Sequence, residues 1–293
     1  MGYFWVVKWL KVAFDFYIRS SLHVAVCYTA LAMVVIGRYH IIEENLWFGI
    51  MQFCLVVTAY NFVKYFELAR NKSAFRFKTP IVILTIVTTV FSGILLLPEL
   101  TYIYPYIIAL SALVLVYVYP SITSKNFRHY AFLKLPIVGL CWVLFIASYG
   151  HSEVIVRQAI EDINILNCNY YPAYQMIFND YFYLSLIGYF FFILALCIPF
   201  EIRDLKHDNA ELKTIPQVIG VRKTKWLGIL LTVLSWYFLY RFNSQFYFTF
   251  TLLFIHLILG LAIWFSDRFK SDYYASFFVE AIPVLWLVML LFF

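Results

Sequence analysis

Apolar and polar positions along this chain fall into long blocks. Nine runs of largely apolar residues occupy positions 21–37, 46–63, 80–97, 102–119, 131–148, 180–199, 225–240, 246–265 and 274–292. A hydrocarbon layer about 30 Å thick takes roughly 17–25 mostly apolar helical residues to cross, so each run predicts one transmembrane helix. Proline and glycine interrupt several runs, which membrane helices tolerate when neighbouring helices re-satisfy the backbone. The predicted fold is all-α: a polytopic bundle of nine transmembrane helices forming a single transmembrane domain over 1–293. Residues 1–20 differ in pattern. There Lys8, Lys11, Asp15 and Arg19 interleave with Phe4, Trp5, Trp9, Phe14 and Phe16, which predicts a short interfacial helix in the headgroup region and not a cleavable signal.

The polar segments between the runs set an orientation. With the N-terminus inside, the inside segments hold eighteen of the 22 Lys and Arg residues, and the outside segments hold only Arg38, Arg157 and Arg241. Lys134 sits near the start of the fifth run. Cytoplasmic segments carry such an excess of cations, so the N-terminus is expected inside and the C-terminus outside. The composition agrees, with 64% apolar, 22% aromatic and 13% charged residues over 293 positions. A soluble domain is about a quarter charged. The net charge of +6 reads as topology and attraction to anionic lipid, so membrane lipids and not nucleic acid are the expected partners. The five cysteines show neither metal-ligand nor redox spacing, and buried free thiols act as small hydrophobes.

Two inside connections are long and polar, about 64–79 and about 201–224, and both are expected as cytoplasmic loops. The second reads PFEIRDLKHDNAELKTIPQVIG from Pro199 to Gly220. Glu201, Asp204 and Asp208 stand at i, i+3 and i+7, so they share one face if the helix continues. Three clustered carboxylates repel unless a cation neutralises them, and such oxygen-only ligands suit Mg²⁺ bridging to phosphates. Arg203, Lys206 and Lys213 then meet the remaining phosphate charge. The alternative is a solvated loop in which Arg203 and Lys206 pair with neighbouring acids.

This stretch resembles the second aspartate-rich motif of the UbiA superfamily of intramembrane prenyltransferases, DxxDxxxD followed by Lys-Thr, a Pro and a Gly. Glu201 stands for the first Asp, Asp204 and Asp208 match, and Lys213, Thr214, Pro216 and Gly220 match the trailing positions. The resemblance implies a nine-helix fold in the bacterial inner membrane, with Mg²⁺ held by Glu201, Asp204 and Asp208 on the cytoplasmic side. It implies transfer of a polyprenyl group from a prenyl diphosphate to an aromatic or lipophilic acceptor, with Asp204, Asp208 and Lys213 as catalytic residues. Asn61, Lys64, Arg70, Arg128, Lys134, Arg203 and Glu280 are the corresponding substrate-binding candidates.

The family's first motif, NDxxDxxxD after the second span, is altered here. The chain has AYNFVKYFELAR over 59–70, so Asn61 matches while Phe62, Tyr65 and Ala69 replace the three aspartates. Either Lys64 and Arg70 substitute electrostatically for lost ions, or the fold is kept as a catalytically inactive membrane subunit that binds lipid or assembles with protein partners. A transporter is a third reading, disfavoured by sparse intramembrane charge and the lack of an internal repeat. Lys134 and Arg128 double as positive-inside anchors. Glu280, inside the last run, is an intramembrane acid and hence a functional candidate, against the reading of an interhelical hydrogen bond. His23 and His256 are expected as buried hydrogen-bonding groups.

Overall fold

The computed structural model of the chain describes residues 2–37, 46–70, 74–118, 132–150, 180–206, 213–241, 246–269 and 271–292. These residues form helices and short connections, with no strand among them. In order the helices are α1 (Gly2–Arg19), α2 (Leu22–Gly37), α3 (Leu46–Arg70), α4 (Lys78–Leu96), α5 (Leu100–Val118), α6 (Lys134–Gly150), α7 (Asp180–Asp204), α8 (Ile215–Ile219), α9 (Val221–Arg241), α10 (Phe246–Phe265) and α11 (Ile282–Phe292). A π turn (Tyr274–Val279) precedes α11.

The described residues of each of the nine apolar runs thus fall largely on helix. Four stretches are long and apolar enough to cross a membrane: Lys78–Leu96, Phe182–Asp204, Phe248–Phe265 and Tyr274–Phe292. A fifth arises if α1 and α2, which meet at a bend of 57°, form one broken span. The bend sits at Ser21, whose φ of 63° closes the turn between them. The outer faces carry the mark of a lipid solvent. On α4 alone, Val82, Ile83, Ile86, Val87, Val90, Phe91 and Ile94 are exposed. That far exceeds the apolar patches of a water-soluble monomer, so this is a membrane protein.

Two of the expected loops are more helical than their polarity suggested. Helix α3 runs to Arg70 and takes in the first part of the 64–79 segment, because Tyr65, Phe66 and Leu68 continue its apolar face. Helix α7 ends at Asp204, and α8 and the start of α9 occupy part of 201–224.

The helices close a ring. Helix α2 packs on α3, α3 on α5, α5 on α6, α6 on α7, α7 on α9, α9 on α10, α10 on α11, and α11 returns to α2, while α4 flanks α3. Lipid tails are as apolar as leucine, so close packing and not water exclusion holds such helices together. Gly188 allows the tightest approach: a Cβ there would lie 2.6 Å from Leu239 Cγ. Inside the ring, Tyr189, Phe192 and Ile193 of α7 are fully buried, and Phe192 meets Trp286 of α11 at 5.4 Å between ring centroids.

Candidate functional site

A cavity of about 270 Å³ opens where α2, α3, α5, α6 and α7 meet the end of the π turn. Its body is apolar and aromatic, lined by Tyr28, Tyr60, Trp142, Phe145 and Phe200 among others. Hydrogen bonds fix three of these rings. Trp142 Nε1 donates to Tyr60 Oη at 2.6 Å, and Tyr28 Oη donates to the Trp142 carbonyl at 3.5 Å. Cys141 and Cys197 line the wall as free thiols.

Among the described residues, charge is confined to four lining residues: Lys134, Glu201, Asp204 and Glu280. Helix α7 supplies two of them one turn apart, so Glu201 and Asp204 face the same space. Glu201 is only 4% exposed, and an isolated buried charge is costly. Lys134, at the first residue of α6, meets it: Nζ lies 2.7 Å from Glu201 Oε1. Asp204 is held by its neighbour, with Arg203 Nη2 at 2.7 Å and Nε donating at 2.8 Å to Oδ1. Arg203 also stacks over Phe200 at 5.1 Å and donates to the Asp272 carbonyl at 3.4 Å. This ties the end of α7 to the approach of the π turn.

Glu280 directly follows that turn, and its backbone N–H donates to the Ala275 carbonyl at 3.1 Å. A π turn inserts one residue into a helix and recurs at functional sites. Here it precedes an acid that lines the cavity.

The other sequence-predicted residues lie elsewhere. Asn61 is buried and lines a second cavity, with Nδ2 donating to Thr85 Oγ1 at 3.0 Å. Lys64 Nζ donates to the Arg19 carbonyl at 3.1 Å, and Tyr65 Oη to the same oxygen at 2.7 Å. The end of α3 is thereby fastened to α1. Arg70 lies in α3, but its side chain, together with Arg128 and Asp208, is outside the described residues. Lys213 is exposed, with φ 46°. Its companions in the motif start and stop short helices: the Thr214 N–H donates to Gln217 Oε1 at 2.9 Å, Pro216 sits in the first turn of α8, and Gly220, at φ 80°, separates α8 from α9.

The structure therefore gathers Glu201, Asp204, Lys134 and Glu280 around one cavity, with Arg203 beside them. It does not bring Asn61 or Lys64 into that lining. The cavity also contains residues the sequence had not singled out, chiefly the Tyr60–Trp142 pair. In a chain with 24 Tyr and 8 Trp, only tertiary contact distinguishes them. His23 and His256 are buried hydrogen-bonding groups: His23 bridges the Tyr17 hydroxyl and the Phe277 carbonyl, each at 3.0 Å, and His256 joins Ser235 Oγ at 2.9 Å.

Among the described residues no three His, Cys, Asp or Glu side chains converge as a metal site. Glu201 and Asp204 are hard oxygen donors of the type that suits Mg²⁺, and they share one cavity. Each also has a cationic partner in place, so a metal ion there competes with Lys134 and Arg203. No protein-family model, curated protein or solved structure matches this chain.

Proposed function

We propose that this chain is a UbiA-type prenyltransferase with nine membrane crossings, its N-terminus and charged cavity mouth on the cytoplasmic side of a bacterial inner membrane. The observation that supports this most is the joining of one aromatic, largely apolar cavity to the carboxylates of Glu201 and Asp204 and to the cations that pair with them, Lys134 and Arg203. That combination matches an amphiphile with a long apolar tail and a diphosphate head.

In this reading the prenyl chain lies along Tyr60, Trp142 and Phe145, and its diphosphate meets Lys134 and Arg203. The bond between the allylic carbon and the diphosphate oxygen breaks, and its electron pair leaves with the diphosphate. Aromatic faces stabilise the allylic cation, and the dry cavity keeps water from capturing it. The acceptor's nucleophilic atom forms the new bond, and Glu280 is placed to take the proton that the acceptor releases. Mg²⁺, when bound, neutralises diphosphate charge, and Glu201, Asp204 and Asp208 are the residues proposed to hold it.

The test is release of diphosphate by purified protein supplied with Mg²⁺, a polyprenyl diphosphate and a phenolic or other lipophilic acceptor. Asp204→Asn should lower the rate at least about 100-fold, the scale on which loss of one preorganised electrostatic group acts. A second reading, a catalytically inactive lipid-binding subunit within a membrane complex, is favoured by one observation. Lys64 and Tyr65 fasten α3 to α1, and neither lines the cavity. Saturable binding of prenyl diphosphate with no release of its diphosphate, whichever acceptor is supplied, would establish that second reading.

A further inference from the structure

A second cavity, of about 540 Å³, lies between α3, α4 and α5. It is separate from the charged one, and Ala59, Val114 and Phe145 line both. Helix α3 serves the two by rotation: Val56, Tyr60 and Val63 face the first cavity, whereas Leu55, Thr58, Phe62 and Phe66 face the second. Both sets follow the spacing of one helical face. Among the described residues no carboxylate lines the second cavity, and the one cation there, Lys78, is the first residue of α4.

Its polar content can be inventoried by donor and acceptor. Thr85 Oγ1 donates its proton to the Ile81 carbonyl at 2.7 Å. It can therefore only accept from Asn61, which fixes the amide with its nitrogen toward Thr85 and its oxygen away. Thr89 donates to the Thr85 carbonyl at 2.6 Å, and Thr88 to the same oxygen at 3.1 Å. Thr58 lies 3.0 Å from Thr88 and 3.2 Å from Thr89, and with both of their protons committed it must be the donor. The protons of these four hydroxyls are thus used internally. Among these groups one buried polar atom is left with no partner at all: Asn61 is 3% exposed, and its Oδ1 has no hydrogen-bond partner among the described residues.

We propose that this cavity is a binding site for a neutral lipophile carrying a single hydroxyl or phenol, which donates to Asn61 Oδ1. A buried amide oxygen without a donor is costly, and the cost is recovered when a ligand supplies one. Depth selects against an ordinary phospholipid. Thr85, the partner of Asn61, lies seven residues beyond Lys78, about 10 Å along α4. A phospholipid anchored by its phosphate at Lys78 would present only acyl chain at that depth. A neutral molecule with a buried hydroxyl presents the missing donor. The site stands on Asn61 and its neighbours and not on the prenyl-transfer reading, although the shared Ala59 wall would place such a hydroxyl next to the aromatic cavity.

The test uses full-length protein in phosphatidylcholine nanodiscs with tritiated 4-dodecylphenol, and 4-dodecylanisole, its methyl ether, as competitor. Saturable phenol binding is expected, with the ether competing about tenfold more weakly because it lacks the donor. Asn61→Leu should weaken phenol binding about tenfold and make the two compounds equal. Ser111→Phe, at an exposed lining position, should abolish binding of both, and it keeps the test decisive if Asn61→Leu fails to fold. Equal competition by phenol and ether on the wild-type protein would overturn the proposal, leaving a groove for any alkyl chain with a water on Asn61. So would unchanged phenol affinity in a folded Asn61→Leu protein, or the absence of saturable binding. No diphosphate enters this assay, so its failure is distinct from failure of prenyl transfer.

Discussion

Helices α3 and α7 each end in a polar segment, and in the resembled family each end carries an aspartate motif. Here the two ends put charge to different uses. At the end of α7, Glu201 and Asp204 face a cavity, and Lys134 and Arg203 balance them. At the end of α3, Lys64 and Tyr65 turn to the carbonyl of Arg19 and serve as a tether for α1. The difference comes from what surrounds each end. Helix α7 is enclosed by α6, α9 and α10, so its acids need partners. Helix α3 ends where its side chains reach the last residue of α1, next to the left-handed turn at Ser21, and there the carbonyl of Arg19 lacks a helical donor.

The contrast breaks most visibly at the buried pair. Lys134→Met leaves Glu201, whose side chain is 6% exposed, without its cation, and loss of one partner of a buried pair costs about 3–5 kcal/mol. Thermal unfolding in detergent should show a large drop, and Lys134→Met combined with Glu201→Gln should regain most of it. An equal loss in the single and double variants would mean that Lys134 acts by packing alone. At the other end, Lys64→Met or Tyr65→Phe removes one hydrogen bond to an exposed carbonyl, so each should cost about 1 kcal/mol or less. The local effect should be clearer than the global one, with faster amide exchange across α1 and the Ser21 turn. Exchange unaltered there would rule out the tether.

The smallest effect is expected at the ion pair of Lys225 with Asp267, a carboxylate that lies beyond the end of α10 and is 45% exposed. The hydrogen bond from Lys225 holds the Asp267 carboxyl below its ordinary value of 3.8. A carboxyl lowered in the folded state stabilises at pH above the unfolded value, and that contribution is lost as pH falls through the folded one. The unfolding temperature should therefore fall slightly more steeply below about pH 4 in the wild-type protein than in Asp267→Asn. Identical pH profiles would show that solvent screens the pair completely, as it does for many exposed pairs.

The sequence made the helices legible because apolar run length responds to the solvent and needs no knowledge of neighbours. The described residues of all nine runs fall largely on helix, including α9, whose basic start at Arg222, Lys223 and Lys225 lowers its overall hydropathy. The acids of α7 were legible as a group because i, i+3 spacing places them together on any helix. Their partners were not. Lys134 is 67 positions from Glu201, and only the packing of α6 on α7 joins them. Asn61 was matched to a motif by position, but position does not reveal helix rotation. Tyr60 and Asn61 are about 100° apart around α3, and that step separates the charged cavity from the hydroxyl-rich one. The trailing Thr214, Pro216 and Gly220 are also explained by helix capping and turn geometry, so their presence alone says little about catalysis.

The π turn at Tyr274–Val279 also bears on the tolerance of the fold to changes in length. Inserting one residue into a continuous α-helix rotates everything beyond it by about 100°, but a π turn absorbs the extra residue locally, here just ahead of α11. On one flank Arg203 reaches the Asp272 carbonyl, and on the other Trp286 is fixed in the core. A one-residue deletion within the turn should therefore spare both anchorages and draw the segment into ordinary helix. Glu280, directly after the turn, is where the local geometry would change. The turn acts as slack in the chain, letting the position of one acid be adjusted while the rest of the ring stays registered.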